Sequence, residues 1–378
     1  MSIDGGLLVH EWISKSGGSE KVFAELVATF PTADLRVLWS DVQAPFGARR
    51  VVESWLARTP LRKSKAAALP FMVGAWRRLP SDRPYDWMLV SSHLFAHHAR
   101  LRRGSQPFVK LVYVHTPARY IWTPELDARG SGLVARIAST FLKPLDRRRA
   151  AEASEIAANS EYVRERIRDT WGLDARVIYP PVDTARIAHG APWADRLDED
   201  EAGLLASLPE GFVLGASRFI PYKRLELAIK AGESVGRPVV IAGSGPEEAR
   251  LRDAAAQAEV PVHFVLKPSD ALLFALYERA SVYVFPAVED FGIMPVEAMA
   301  CGTPVIANTV GGAGESVGVC GGGVLLDAFD RQSLRTAIEA VQTIDRSALR
   351  ERVGRFSAER FRSEIREWVT SSMGRAAT

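Results

Sequence analysis

The stretch Glu289-Asp-Phe-Gly292-Ile-Met-Pro-Val-Glu297-Ala-Met-Ala-Cys-Gly302-Thr-Pro-Val-Ile306-Ala307 decides the reading of this chain. The apolar run from Ser281 to Pro286 precedes it and reads as a short buried strand; Pro304 to Ala307 reads as another. Between them a glycine, a proline at the first helical position and the run Val-Glu-Ala-Met-Ala-Cys predict a helix that stops at Gly302. The pattern is strand, loop, helix, strand. Such a helix presents the unpaired N–H groups of Gly292, Ile293 and Met294 at the end of a parallel sheet, where an anion can sit. Glu289 and Glu297 bracket those donors. A phosphate cradle flanked by hydroxyl-binding carboxylates suits a sugar nucleotide.

Two other readings compete for the same acids. On one helix they would lie about 12 Å apart, at a rise of roughly 1.5 Å per residue. Hydrolytic pairs need less, about 5–5.5 Å for retention and about 6.5–9.5 Å for inversion of configuration. A bent loop would shorten the distance, so spacing alone leaves hydrolysis open. The plain alternative is a strand–helix crossover with one surface glutamate and one capping glutamate. Binding needs the fewest assumptions, because the helix start supplies the anion site by itself.

Outward from this stretch, strand and helix patterns alternate. In the first half the expected strands are Gly6–His10, Leu35–Trp39, Trp87–Ser91, Leu111–His115, Ile156–Asn159 and Val177–Tyr179. In the second they are Phe212–Ala216, Val239–Ala242, Val262–Val265, Val282–Phe285, Val305–Ala307 and Val324–Leu326. Helical patterns such as Leu225–Glu233 and Ala271–Ala280 lie between many of them. This alternation predicts an α/β chain of parallel sheets with helices on both faces. A boundary is expected near Tyr179-Pro-Pro-Val-Asp183, dividing the chain into 1–183, 184–355 and a terminal helical piece, 356–378. The acidic run around Asp195, Asp198, Glu199, Asp200 and Glu201 has no anchoring strand and reads as a solvated linker or helix, not a metal site.

A length of 378 residues predicts about two domains. Hydrophobic residues make up 47% and charged residues 25%, the proportions of a soluble globular protein. No apolar run approaches the roughly 20 residues that span a bilayer, and no basic-then-apolar leader is evident. Cys301 and Cys320 suggest neither a disulfide framework nor a metal cluster; they fit a reducing cytosol. The net charge of +3 is uneven, about +8 over residues 1–185 and −5 over the remainder. Between Arg49 and Arg103, 12 basic residues face 3 acids. Arg62, Lys63, Lys65, Arg77 and Arg78 flank the apolar stretch Ala66–Trp76, which includes Leu69, Phe71, Met72 and Val73. That combination suits peripheral contact with an anionic membrane, or else an amphipathic helix whose apolar side packs into its own domain. Nucleic acid is a poorer partner, since no recognition motif accompanies the charge.

Four motifs in order carry a resemblance. Gly17-Gly18-Ser19-Glu20 opens an apolar-periodic helix, and His115-Thr-Pro117 follows the strand Leu111–Val114. Gly215-Ala-Ser-Arg218-Phe-Ile-Pro-Tyr-Lys223 pairs an arginine with a lysine, and Glu289 to Glu297 spells E-x7-E. The chain thereby resembles the retaining GT-B glycosyltransferases of family 4. The spelling from His115 to Trp122 is most similar to a branch that includes mannosyltransferases of bacterial polysaccharide assembly.

The resemblance implies two Rossmann-like doubly wound domains facing a central cleft, with a terminal helix crossing back to the first. It implies transfer of a hexose from a nucleoside diphosphate, GDP-mannose first among the donors, to an acceptor hydroxyl, and the basic apolar segment from Arg49 to Arg103 points to a saccharide or lipid-linked acceptor at the cytoplasmic face. No bound metal is implied. Arg218 and Lys223 would face the leaving diphosphate, where fixed cations stabilise developing charge. Glu289 would hold sugar hydroxyls, Glu297 the ribose, and Gly17, Gly18, Gly292, Ile293 and Met294 the phosphates. His115 would contact the transferring sugar; His10, His93, His97 and His98 stay structural or acceptor-side candidates. Residue 224 is arginine where glycine often follows the lysine. With no carboxylate nucleophile evident in the first half, retention by front-face displacement is the expectation. A sugar-nucleotide epimerase, which needs no acceptor, and a silent binding subunit are the alternatives.

Overall fold

The computed structural model describes residues 5–15, 17–81, 83–102, 108–122 and 133–376. Arg103, at the end of the basic segment, lies outside them. The chain divides into two compact units, one formed by Met1–Pro181 with Ala358–Thr378 and the other by Val182–Ser357.

The first unit holds seven strands: β1 Gly6–His10, β2 Asp34–Val37, β3 Val51–Glu53, β4 Trp87–Ser92, β5 Val109–Val114, β6 Glu155–Ala158 and β7 Arg176–Val177. They form one parallel sheet in the order β3-β2-β1-β4-β5-β6-β7. β1, β4 and β5 are buried along their whole length, which explains their near-continuous apolar spelling. β3 is absent from the expected strands for the opposite reason. It is three residues long, sits at the sheet edge and is not buried, so no period marks it. Helices Gly18–Thr29 and Ala358–Ala376 cover one face through Val22, Phe23, Leu26, Phe361, Ile365 and Trp368. Helices Lys65–Trp76 and Glu161–Trp171 cover the other through Met72, Trp76, Val163, Ile167 and Trp171.

The terminal helix is tied into the first unit by polar contacts as well. Arg362 pairs with Glu25 at 2.5 Å, and Glu155 accepts from Trp368 Nε1 at 2.9 Å and Ser372 Oγ at 2.8 Å.

The second unit holds β8 Val213–Arg218, β9 Val239–Ser244, β10 Val262–Leu266, β11 Val282–Phe285, β12 Val305–Asn308 and β13 Gly323–Leu326. Again the pairing is parallel, in the order β10-β9-β8-β11-β12-β13. The acidic run caps and opens helix Glu199–Ser207. Asp198 Oδ1 accepts from Glu201 N at 2.8 Å, and three acids occupy the first turn, where the helix dipole favours them.

In each sheet the strand order reverses once, between β1 and β4 and between β8 and β11. Loops leaving the carboxyl ends of strands at such a reversal open a crevice. Gly17 and Gly18 follow β1, Arg218 and Lys223 lie at and after the end of β8, and Glu289 follows β11, all at these two places.

Candidate active site

In the second unit, β8 ends on exposed Arg218, and a short 3-10 turn, Pro221–Lys223, follows. Lys223 is 5% exposed, and its ammonium pairs with Glu289 Oε1 from the loop after β11. The lysine also lies 4.9 Å from the Phe285 ring centroid, a favourable place for a cation. Tyr222 links the group: its hydroxyl accepts from Arg218 Nη2 at 3.4 Å and faces Glu289 Oε1 at 3.5 Å. Two motifs 66 residues apart in sequence thus share one carboxylate.

Glu289 lies in the loop and not on the following helix, which runs Ile293–Ala300. The straight-helix spacing between Glu289 and Glu297 therefore does not apply. Pro295 is the third helical residue rather than the first; its missing N–H falls among the four that a helix start leaves unpaired. Gly292 is the N-cap at φ 81. Met294 turns its sulfur toward the Tyr283 hydroxyl, 3.9 Å away, and that hydroxyl donates to Ala216 O at 2.7 Å. Met294 is anchored inward this way, and the backbone amides of Ile293 and Met294 belong to the first turn of the helix. Glu297, half-buried, lies on the fifth residue of this helix.

A second helix, Gly312–Cys320, starts beside the first. Gly312 N donates to Glu289 O at 2.8 Å, and a Cβ on Gly312 would stand 2.2 Å from Asp290 O. Glycine is required there by the close backbone approach. The Gly311–Gly312 turn and the Glu289–Gly292 loop therefore lock together and set two helix N-termini side by side. Anions are favoured at such a place by the unpaired amides and the dipoles.

Sequence reasoning missed the turn after β9, Gly243-Ser244-Gly245. Ser244 O accepts from Phe219 N at 2.8 Å, and a Cβ on Gly243 would stand 1.9 Å from Ser217 O. This turn buttresses the backbone carrying Arg218 and Lys223. The signal was present, as two glycines before a proline at a strand end. Arg224 takes the left-handed conformation at φ 50, which accounts physically for the resemblance to sequences with glycine at that place.

In the first unit, His115 follows β5 and is 9% exposed. Its Nε2 lies 2.8 Å from Ser91 Oγ, which lies 3.0 Å from His10 Nδ1. Burial pushes the imidazole of His115 down to about 3 and that of His10 to about 4, so both are neutral at pH 7. His93 completes the aromatic group, its ring 4.8 Å from Trp12 and 6.3 Å from His115. Gly17 is the N-cap of helix Gly18–Thr29. Glu20, in the first turn, accepts from Ser19 Oγ at 2.8 Å and Ser14 N at 3.3 Å.

His97 and His98 lie elsewhere, in the buried polar cluster around Asp146. Asp146 Oδ1 is 3.0 Å from His97 Nε2 and 2.9 Å from His98 Nε2. Its Oδ2 accepts from the indoles of Trp122 and Trp171, each at 2.8 Å. Burial alone would raise this carboxyl, but the two histidines hold it well below its usual range. With both oxygens occupied, the cluster reads as a structural hub joining four segments.

The basic apolar segment is corrected in part. Ala68, Met72, Ala75 and Trp76 of helix Lys65–Trp76 are buried in their own core. Arg62 pairs with Asp41 at 3.1 Å and Arg77 with Glu152 at 2.5 Å. What faces outward is Trp55, 52% exposed, Phe71, 46% exposed, and the exposed Lys63, Lys65 and Arg78. Among the described residues no helix is long and apolar enough to cross a membrane.

Residues 16–186 match the model of Glycosyltransferase Family 4, and residues 198–360 match that of Glycosyl transferases group 1. Two units, each a parallel sheet with helices on both faces and one reversal of strand order, define the GT-B class. The chain belongs to the family 4 glycosyltransferases of that fold. It is 31% identical over 210 residues to the GDP-mannose-dependent alpha-(1-6)-phosphatidylinositol monomannoside mannosyltransferase of Mycolicibacterium smegmatis, covering 51% of this chain and 54% of that one. With the D-inositol 3-phosphate glycosyltransferase of Geodermatophilus obscurus it shares 32% over 234 residues, 56% of this chain and 51% of the other. The chain thus spans about half the length of these relatives. Among solved structures, Anabaena HepE in complex with UDP and glucose aligns over 97% of this chain and 99% of its own, with TM-score 0.65 and 19% identity. Sucrose-phosphate synthase from Thermosynechococcus elongatus aligns over 99% and 100%, with TM-score 0.69 and 19% identity. Those two likenesses bear on the fold alone.

Proposed function

We propose that this protein is a retaining hexosyltransferase that uses a nucleoside-diphosphate sugar, GDP-mannose first among candidates, and a saccharide or lipid-linked acceptor. The observation that carries the reading is the Arg218–Tyr222–Glu289–Lys223 group set beside two helix N-termini. Cations and amides gathered there suit a diphosphate whose negative charge grows as the glycosidic bond breaks. A mannosyl donor is supported by the named activity of the mycobacterial relative.

In this reading Glu289 orients sugar hydroxyls and Glu297 the ribose, while Gly17 and Gly18 let the backbone approach the phosphates and His115 contacts the transferring sugar. The acceptor oxygen bonds to the anomeric carbon as the bond to the diphosphate oxygen breaks on the same face. The acceptor's proton passes to that departing oxygen, so atoms and charge balance without a protein nucleophile or a metal. Incubation with GDP-mannose and a panel of phosphoinositide and polyprenyl-linked acceptors, followed by NMR of the anomeric proton, tests this. An α-linked product formed only with acceptor present supports the reading. Acceptor-independent conversion of the sugar nucleotide would make the protein an epimerase.

The exposed pair Trp55 and Phe71, with ring centroids 6.3 Å apart, in a segment that also carries the exposed Lys63, Lys65 and Arg78, supports peripheral contact with an anionic bilayer. Co-sedimentation with anionic vesicles that is unchanged in Trp55→Ser/Phe71→Ser would refute that contact.

A further inference from the structure

We propose that Ser91 and His10 are positioning residues that lock His115 in its Nδ1–H tautomer, so that its ring offers the reaction a hydrogen-bond donor. The tautomer follows from counting protons along a three-member chain. Ser91 has one hydroxyl proton and lies between two ring nitrogens, His10 Nδ1 at 3.0 Å and His115 Nε2 at 2.8 Å. In a neutral imidazole one nitrogen donates and the other accepts. Three arrangements satisfy both contacts, but the one in which both rings donate to Ser91 Oγ leaves the buried serine O–H without an acceptor, so two remain.

In the first, His10 Nδ1–H donates to Ser91 Oγ and the serine hydroxyl donates to His115 Nε2. His115 then carries its proton on Nδ1, and His10 Nε2 is a bare lone pair. In the second every proton is reversed, and His10 Nε2 becomes an N–H. The far end of the chain decides between them. His10 Nε2 is buried and has no hydrogen-bond partner. Its ring is stacked on Phe23, with centroids 4.7 Å apart and planes 14° from parallel. Nearby Glu20 is engaged by Ser14 and Ser19. A buried N–H without an acceptor is rarer and costlier than an unpaired acceptor, so the first arrangement wins.

The consequence reaches the chemistry. With Nε2 held by Ser91, the only ring nitrogen His115 can turn to a ligand is Nδ1, and it carries a proton. That suits an oxygen of the sugar or of the departing phosphate and rules the ring out as the base for the acceptor. This last step rests on the transferase reading; the tautomer does not.

The test is two-bond 1H–15N correlation of the full-length protein labelled at histidine, at pH 7 and without ligand, with His115 assigned by His115→Gln. The expected pattern has Nδ1 protonated and Nε2 bare in wild type. Ser91→Ala moves His115 toward a tautomer mixture, whereas His10→Asn, whose amide can still donate to Ser91, keeps the wild-type pattern. In transfer assays Ser91→Ala lowers kcat about tenfold with little change in KM for the donor, the scale of losing one bias between two protonation arrangements. A wild-type His115 protonated on Nε2, or a tautomer indifferent to Ser91→Ala, overturns the proposal. An intact lock in a protein that transfers no sugar would overturn the transferase reading instead.

Discussion

Replacing either partner of the Lys223–Glu289 pair should destabilise the second unit unequally, and replacing both should cost less than the sum. The side chains are 6% and 25% exposed respectively. In Lys223→Met the carboxylate left behind still reaches water, so the loss is about 1 kcal/mol. In Glu289→Gln the ammonium left behind is almost enclosed. Breaking a buried pair costs about 3–5 kcal/mol, and the Phe285 contact, present with or without Glu289, does not offset it. Lys223→Met/Glu289→Gln removes both charges and keeps the volume, so it should lie within about 1 kcal/mol of wild type. The expected coupling is about 3 kcal/mol or more, well above the roughly 0.5 kcal/mol scatter of independent sites.

Because eight of the nine tryptophans belong to the first unit, bulk fluorescence would report the wrong unit. Hydrogen exchange across a urea titration, read on peptides from β11 and helix Ile293–Ala300, isolates the second. Additive losses would show that the pair is not the shared element that joins the two motifs.

Arg224→Gly should stabilise the second unit by about 0.5–1 kcal/mol, since it relieves a left-handed non-glycine residue at an exposed position; a lower midpoint in the same experiment would count against it. Trp368→Ala should cost the first unit about 3–5 kcal/mol, from lost packing and the lost bond to Glu155, measurable by denaturant titration. Acid should unfold the first unit before the second. Burial lowers His10 and His98 to about 4 and His115 to about 3, so the folded state binds fewer protons than the unfolded chain below about pH 6.5, and stability falls as pH drops from there toward 4. Each histidine contributes at most about 3 kcal/mol over that window. Glu11, which burial raises to about 7, acts oppositely and loses stability as pH rises from 4.5 toward 7. Glu11→Gln should therefore steepen the acid transition; a shallower one would refute the assignment.

Strands buried on both faces announced themselves as apolar runs, which is why β1, β4, β8 and β11 were legible within a residue or two. β3 was not, because a three-residue edge strand that is not buried carries no period. The partnership of Arg218, Lys223 and Glu289 was legible as motif spelling, yet their meeting on one carboxylate depends on where the strand order reverses, a long-range property. The roles of Tyr222 and Ser91 were hidden for the same reason. Each is an ordinary residue made important by neighbours 67 and 24 positions away. In the Ala66–Trp76 stretch sequence left both faces open, and packing turned Met72 and Trp76 inward and left Phe71 outside.

The central claim is that the group around Glu289 holds a nucleoside-diphosphate sugar. Calorimetric titration of wild type and Glu289→Ala with GDP, UDP, GDP-mannose and UDP-glucose tests it most directly. The account predicts binding of one base, GDP first, with a further gain from the sugar that vanishes in Glu289→Ala while diphosphate binding persists. Absence of binding by every nucleotide in a folded sample, or a sugar-dependent gain untouched by Glu289→Ala, would contradict it.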